Sequence, residues 1–351
     1  MGHDSNYPGG SGRVRSQIKA VITLSALLPA TFALSFTLTG AVTRYARSRG
    51  MLDLPGDRHS HFEPTPRGGG AGLVVALILA SVPWAQVWIV LPFWLFCALP
   101  GFVVLSLMGW WDDRKPLSVR LRFLIQVLVS LYLILCFQPN GASLSLVPAI
   151  GAVLFLLWMT NLFNFMDGSN GMAGSQGVFA GLTLAWLFNR ADDYPAVVLS
   201  LVLASVCLGF LPWNLGRAKV FMGDVASGSL GFAIASLLIY GVFSSEVSLA
   251  AAWLVMLVFL CDSTLTLAAR VLRGEQWYNP HKQHLYQQLI VRGWSHARVL
   301  AVYQLINLGL VIPAIAVAVS RPAIATTVAT STTLALVFAW LAVRRNIGVR
   351  V

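Results

Sequence analysis

Apolar stretches of about 20 residues alternate with short polar connections along almost the whole chain. They cover roughly 20–43, 70–88, 91–111, 121–138, 144–163, 172–188, 195–212, 225–243, 247–268, 299–319 and 323–342. Each is long enough to cross a hydrocarbon core of about 30 Å as a helix. The pattern predicts an all-α, polytopic integral membrane protein with about 10–11 transmembrane helices. Only Leu91 and Pro92 separate the second and third stretches. The first follows Arg13, Arg15 and Lys19, but it exceeds the roughly 7–15 apolar residues of a signal peptide and reads as a membrane anchor. Residues 1–16 read as a disordered N-terminal segment and 17–351 as a single transmembrane domain.

Composition agrees with the pattern. Of 351 residues, 57% are hydrophobic and 11% charged, against the roughly 25% charged residues of a soluble domain. The net charge of +11 raises the question of nucleic acid, but the basic residues lie in short loops between apolar runs, so no nucleic-acid partner is expected. Anionic lipid headgroups or a phosphorylated substrate suit them better. With the N-terminus outside, 19 of the 24 Lys and Arg residues fall in cytoplasmic segments, as the positive-inside rule requires. Cys97, Cys136, Cys207 and Cys261 are isolated inside apolar runs and read as small hydrophobes.

Charge becomes informative in the acids. Nine of the 13 Asp and Glu residues fall at cytoplasmic helix ends or in cytoplasmic loops in this topology. Charged groups at membrane depth are costly and need a partner or a function. In "MGWWDDRKPLS", Asp112 and Asp113 are adjacent and repel one another unless a cation sits nearby; an interfacial Trp belt with a solvated acidic turn is the plainer reading. In "NLFNFMDGSNGMAGSQ", Asn161 and Asn164 share a helix face and Asp167 follows about a turn later, before a glycine-rich turn. Amides there can donate to a phosphate or a base while the acid takes a metal; a polar helix end is the alternative. Asp224, after Arg217 and Lys219, is either another site acid or an N-cap. Asp262 lies about two turns inside a span and is expected to be functional or paired.

Two loops complete the picture. In "GEQWYNPHKQHLYQQLIVRGW", His281 and His284 are three apart, next to Lys282; zinc is disfavoured without Cys or H-E-x-x-H, and contact with a phosphorylated substrate fits better. In "DLPGDRHSHFEPTPRGGGAG", Arg67 precedes three glycines whose backbone N–H groups can meet a phosphate; a loop-to-helix hinge is equally consistent.

Taken in order, "PTPRGGG", "DDRKPLSVRLRFLIQ", "NLFNFMDGSNGMAG", "VFMGD" and "HKQHLYQ" resemble the polyprenyl-phosphate N-acetylhexosamine-1-phosphate transferases, glycosyltransferase family 4, over residues 44–300. The family's peptidoglycan translocase carries consecutive histidines, whereas Lys282 and Gln283 separate His281 from His284 here; the resemblance is to the type that initiates O-antigen or exopolysaccharide. It implies Mg²⁺ (or Mn²⁺), a UDP-N-acetylhexosamine donor, undecaprenyl phosphate as acceptor and a bacterial inner-membrane enzyme whose active site faces the cytoplasm. A homodimer is a further expectation. The matching positions are Asp112, Asp113, Asp167 and Asp224 for catalysis, the last three acids also for metal. Asn161, Asn164, Arg67, Lys115, His281, Lys282 and His284 are expected to bind substrate.

Two other classes compete. A secondary transporter would use Asp262 and interrupted helices to couple an ion. It leaves the cytoplasmic His pair without a role, and no inverted repeat is visible. A catalytically idle scaffold is disfavoured because every motif acid is present.

Overall fold

The computed structural model describes residues 10–53, 64–87, 93–276 and 282–348. These residues are helical almost throughout, and the chain is an all-α, multi-pass membrane protein. The helices are α1 (Gly10–Ser48), α2 (Gly70–Val87), α3 (Leu99–Asp112), α4 (Val119–Cys136), α5 (Leu146–Met166), α6 (Met172–Arg190) and α7 (Tyr194–Asn214). They continue with α8 (Asp224–Ser244), α9 (Leu249–Val255), α10 (Leu257–Leu272), α11 (Leu285–Val291), α12 (His296–Ile306), α13 (Ile312–Ser320) and α14 (Ala325–Asn346). Two strand residues on each side, β1 (Leu52–Asp53) and β2 (Thr65–Pro66), pair antiparallel with Leu52 opposite Pro66.

Seven helices among the described residues are long and apolar enough to cross a membrane, with α12 and α13 joined as one and α9 with α10 making an eighth if the bent pair is one span. The other three expected spans are helices too, but α2 and α3 have shorter apolar stretches and α6 is more polar. Burial ranks the passes. In α7 and α8, 78% and 83% of the apolar window is buried, against 28–39% in the other five, so these two form the centre. Small residues make this possible: Ala226, Ser227, Ser229, Ala233, Ala235 and Ser236 of α8 are all buried and let neighbouring helices come close.

α1 begins at Gly10, and residues 1–9 lie outside the described ones. Extending an existing helix adds a hydrogen bond per residue without a new nucleation cost, so α1 runs past its apolar stretch. The span expected over 247–268 is broken by 73° between α9 and α10. A break frees backbone carbonyls that lipid cannot satisfy. The fully buried Gln176 of α6 donates from Nε2 to Val255 O at 3.3 Å, and its Oε1 accepts from Asn307 Nδ2 at 2.8 Å. The bend is therefore held by a polar link from α6 to the π-helical turn Asn307–Val311 that joins α12 to α13.

Candidate active site

Four helix ends and one loop meet at one face of the bundle: the C-terminal ends of α3 and α5, the N-terminal ends of α4 and α8, and the segment before α2. Backbone pairing brings the two loop motifs together. Phe221 N donates to Pro66 O at 2.8 Å, Gly69 N to Phe221 O at 2.9 Å and Gly70 N to Met222 O at 2.9 Å. The "PTPRGGG" and "VFMGD" stretches thus lie side by side, which aims Arg67 at the start of α8.

Asp113 closes that junction. Its Oδ1 accepts from Asp224 N at 3.0 Å and its Oδ2 from Val225 N at 3.1 Å, so the residue that follows α3 caps the first turn of α8. Gly223 makes room. Its φ is +78°, and a Cβ there would stand 2.6 Å from Asp113 Oδ2. Gly109 does the same one turn back in α3, where a Cβ would lie 2.0 Å from Asp224 O.

Around Asp224 the charges converge. Arg67 reaches Asp113 Oδ1 with Nε at 2.8 Å and Asp224 Oδ1 with Nη2 at 3.0 Å. Asn164 Nδ2 donates to the same Asp224 oxygen at 3.0 Å and to Ser227 Oγ at 3.0 Å. Arg122 Nη1 lies 2.9 Å from Asp112 Oδ2 and 3.6 Å from Asp224 Oδ2, while Asp112 Oδ1 accepts from Leu117 N at 2.6 Å. Asp167, the C-cap of α5, feels the charges of Asp224, Asp113 and Arg67. Burial, helped by Asp224, pushes its carboxyl well above the usual range. Asp113 is pushed up to about 6 by burial, with Arg67 pulling against it and Asp224 adding to it.

The structure thus gathers Asp112, Asp113, Asp167, Asp224, Asn164 and Arg67, and it sets other expected residues apart. Asn161 faces α4, donating to Gln126 Oε1 and Leu157 O, both at 2.8 Å. Lys115 is exposed on the turn after α3 and forms no ion pair among the described residues. His281 lies outside the described residues, and Lys282 begins the segment that leads into α11. His284, the N-cap of α11, is buried, with its ring stacked at 5.9 Å on both Phe165 and Tyr286. Burial holds its imidazolium below the usual range, Asp262 opposing and Arg344 and Arg270 adding, so at neutral pH the ring is uncharged.

Tyr286 ties this region to the tip of α5 by donating to Phe165 O at 2.7 Å. Asp262 anchors it from below. This buried carboxylate accepts from Leu285 N and Tyr303 Oη at 2.7 Å, Trp340 Nε1 at 3.2 Å, and Tyr286 N and Thr266 Oγ1 at 3.3 Å. The expectation of a paired Asp262 holds. With its lone pairs filled by protein donors, it is poorly placed to bind a coupling ion.

Sequence reading missed Arg122 and His296. Arg122 stands in the first turn of α4, at the start of the apolar run 121–138, and a charge at the edge of such a run is the signal that could have found it. His296 Nδ1 meets Ser169 Oγ at 2.9 Å and accepts from Asn170 N at 3.3 Å, bracing the turn after Asp167. No local pattern marks such a contact across more than a hundred residues.

Among the described residues no three His, Cys, Asp or Glu side chains are set to hold a metal by themselves. Asp113 spends both oxygens on backbone N–H groups, which leaves the expected three-acid set incomplete. Oxygen donors from Asp224 and Asp167 nonetheless suit Mg²⁺, which commonly takes one or two carboxylates with substrate phosphates and water.

These features define a membrane enzyme with an acidic, arginine-bridged centre at one end of its bundle. Residues 73–242 match the family model described as glycosyl transferase family 4. The decaprenyl-phosphate N-acetylglucosaminephosphotransferase of Mycobacterium tuberculosis strain H37Rv is 31% identical over 82% of this chain and 79% of its own. The probable undecaprenyl-phosphate N-acetylglucosaminyl 1-phosphate transferase of Bacillus subtilis strain 168 is 29% identical over 77% and 78%. A phospho-N-acetylmuramoyl-pentapeptide-transferase of Lactiplantibacillus plantarum is 25% identical over 85% and 99%. The chain belongs to glycosyl transferase family 4 and is a phosphoglycosyltransferase.

Proposed function

We propose that this protein transfers an N-acetylhexosamine 1-phosphate from a UDP-sugar to undecaprenyl phosphate, giving the lipid diphosphate sugar and UMP, and so starts a lipid-linked cell-surface glycan of the O-antigen or exopolysaccharide kind. The observation that carries the reading is Arg67 bridging Asp113 and Asp224 beside Asn164 and Arg122. Carboxylates interleaved with guanidinium groups at one end of the bundle suit two phosphate-bearing substrates, one of which is a lipid. The relatives' names, which specify a polyprenyl phosphate and N-acetylglucosamine, support the same reading.

In this reading Asp112 orients or deprotonates the acceptor phosphate, with Arg122 beside it to neutralise charge. An acceptor oxygen forms a bond to the sugar-bearing phosphorus of the donor, the bond from that phosphorus to the bridging oxygen breaks, and the bridging oxygen leaves with UMP. Arg67 stabilises charge on the transferring group, and Asn164 holds Asp224 in place. Mg²⁺, held by Asp224 and Asp167, would supply electrostatic stabilisation of the diphosphate. His281, Lys282 and His284 are assigned to the donor; for a neutral, buried His284 that means shaping the wall. The site lies on the cytoplasmic face of the inner membrane, where the basic loops gather and a nucleotide sugar is at hand, and anionic lipid surrounds it.

The test is UMP release by the purified protein in detergent with undecaprenyl phosphate, Mg²⁺ and a panel of UDP-N-acetylhexosamines. Release that requires lipid, metal and Asp224, lost in Asp224→Asn, is the expected result and names the donor. Release without lipid, or undiminished in Asp224→Asn, rejects the mechanism.

A further inference from the structure

α14 brings into the protein a charge that no acceptor among the described residues bonds. Arg344, near the C-terminal end of α14, is fully buried, at 0% exposure. Its Nε, Nη1 and Nη2 all lack a hydrogen-bond partner among the described residues. The guanidinium lies over the ring of Trp340, 4.5 Å from the centroid. That attraction offsets part of the lost hydration but gives five N–H donors nothing to bond.

The carboxylates nearby are committed elsewhere. Asp262 is filled by the backbone and side-chain donors of α10, α11, α12 and α14. Glu275 Oε1 takes Arg273 Nε at 2.8 Å, and Oε2 takes Arg270 Nη1 at 3.0 Å and Gln283 Nε2 at 2.8 Å. Arg270 also keeps a buried Nε without a partner. Among the described residues, Arg344 is thus left beside two carboxylates, Asp262 and Glu275, whose oxygens already accept from other donors. A guanidinium cannot discharge itself by losing a proton. Burial without an anion is strongly unfavourable, so the cluster is built for one more negative group.

We propose that Arg344 is the core of an anion subsite beside His284, with Arg270 and Arg273 at its edge, and that its ligand is a phosphoryl group. The planar fork of a guanidinium matches the oxygens of a phosphate, and three such groups suit a multiply charged anion. The phosphoryl group comes from the diphosphate of the nucleotide-sugar donor, in which case the subsite rests on the reading above, or from a phospholipid headgroup at this face of the membrane.

The experiment is thermal unfolding of the full-length protein in lipid-free detergent, titrated with inorganic phosphate at constant ionic strength against a chloride control. Phosphate is expected to raise the wild-type melting temperature by about 2 °C or more. Arg344→Met should abolish that rise and melt no lower than wild type in phosphate-free buffer, because it removes an unpaired buried charge. Arg344→Lys should keep a reduced response. Repeating the titration with UDP-N-acetylglucosamine and with phosphatidylglycerol assigns the source, by whichever rise depends on Arg344. Asp224→Asn should retain the phosphate response, so failure of the transferase reading leaves this test intact. The proposal is overturned if wild type responds to none of the three probes, if Arg344→Met responds like wild type, or if both Arg344 variants melt lower or fail to fold without phosphate.

Discussion

Arg67 illustrates how one side chain can organise a site. It contacts two carboxylates from different helices through two different nitrogens, a geometry that the single ammonium of lysine cannot copy. Arg67→Lys should therefore lower turnover by roughly 10²-fold, the scale for losing one preorganised electrostatic donor, with little change in melting. Assays of UMP release beside melting curves check both. Asp167 is the converse case, an acid that the fold makes unfavourable to ionise. Asp167→Asn should abolish turnover and leave melting unchanged or slightly raised; near-normal turnover would remove it from the site.

Asp113 adds a pH dependence. Its folded carboxyl sits near 6, above that of an unfolded aspartate, so the folded state holds the proton more tightly. The resulting stability is full below the unfolded value and disappears as pH rises through about 6. In the absence of metal, the melting temperature should thus fall between pH 5 and 7.5, and fall less in Asp113→Asn.

At the scale of elements, the decisive contacts are backbone approaches and buried polar links. A methyl at Gly109 would meet Asp224 O at 2.0 Å, so Gly109→Ala must push α3 away from α8 and unseat the Asp113 cap. Loss of turnover together with about 1–3 kcal/mol of destabilisation is expected, the scale of overpacking in a close-packed interior. At the bend between α9 and α10, Gln176→Leu removes the donor to Val255 O and one of the two acceptors of Asn307 Nδ2, which keeps Gln304 Oε1 at 3.2 Å. That should cost about 1–3 kcal/mol, read as a lower melting temperature, while the acid cluster stays in place.

At the scale of the whole molecule, the apolar runs specify passes, and their basic connections predict a cytoplasmic side for the site. Single cysteines placed at Arg217 and Glu246 in a background without native cysteines should label from opposite faces of inverted and right-side-out vesicles, Arg217 from the cytoplasm. Labelling of both from one face would overturn the topology. The central position of α7 and α8 was not legible, because nearly every run is apolar all round and periodicity cannot separate a lipid-facing helix from a protein-facing one. The break at Met256 was also hidden, since the polar group that tolerates it, Gln176, is eighty residues away.

The class of the protein follows from its linear sequence. Apolar length, sparse charge and five motifs in order identify an all-helical membrane transferase, since each is a local property of consecutive residues. The sequence also marked Asp112, Asp113, Asp167, Asp224 and Asn164, because polar groups at membrane depth are expensive wherever they stand, and Arg67 through the three glycines that follow it and the motif they form. The division of labour among them emerges from the folded arrangement: Asp113 caps α8, Arg122 joins the cluster, Asn161 turns to Gln126, and Asp262 fastens four helices. Each of these roles is a contact between residues far apart in the chain, and the chain order that encodes a helix carries no direct record of which distant helix will meet it.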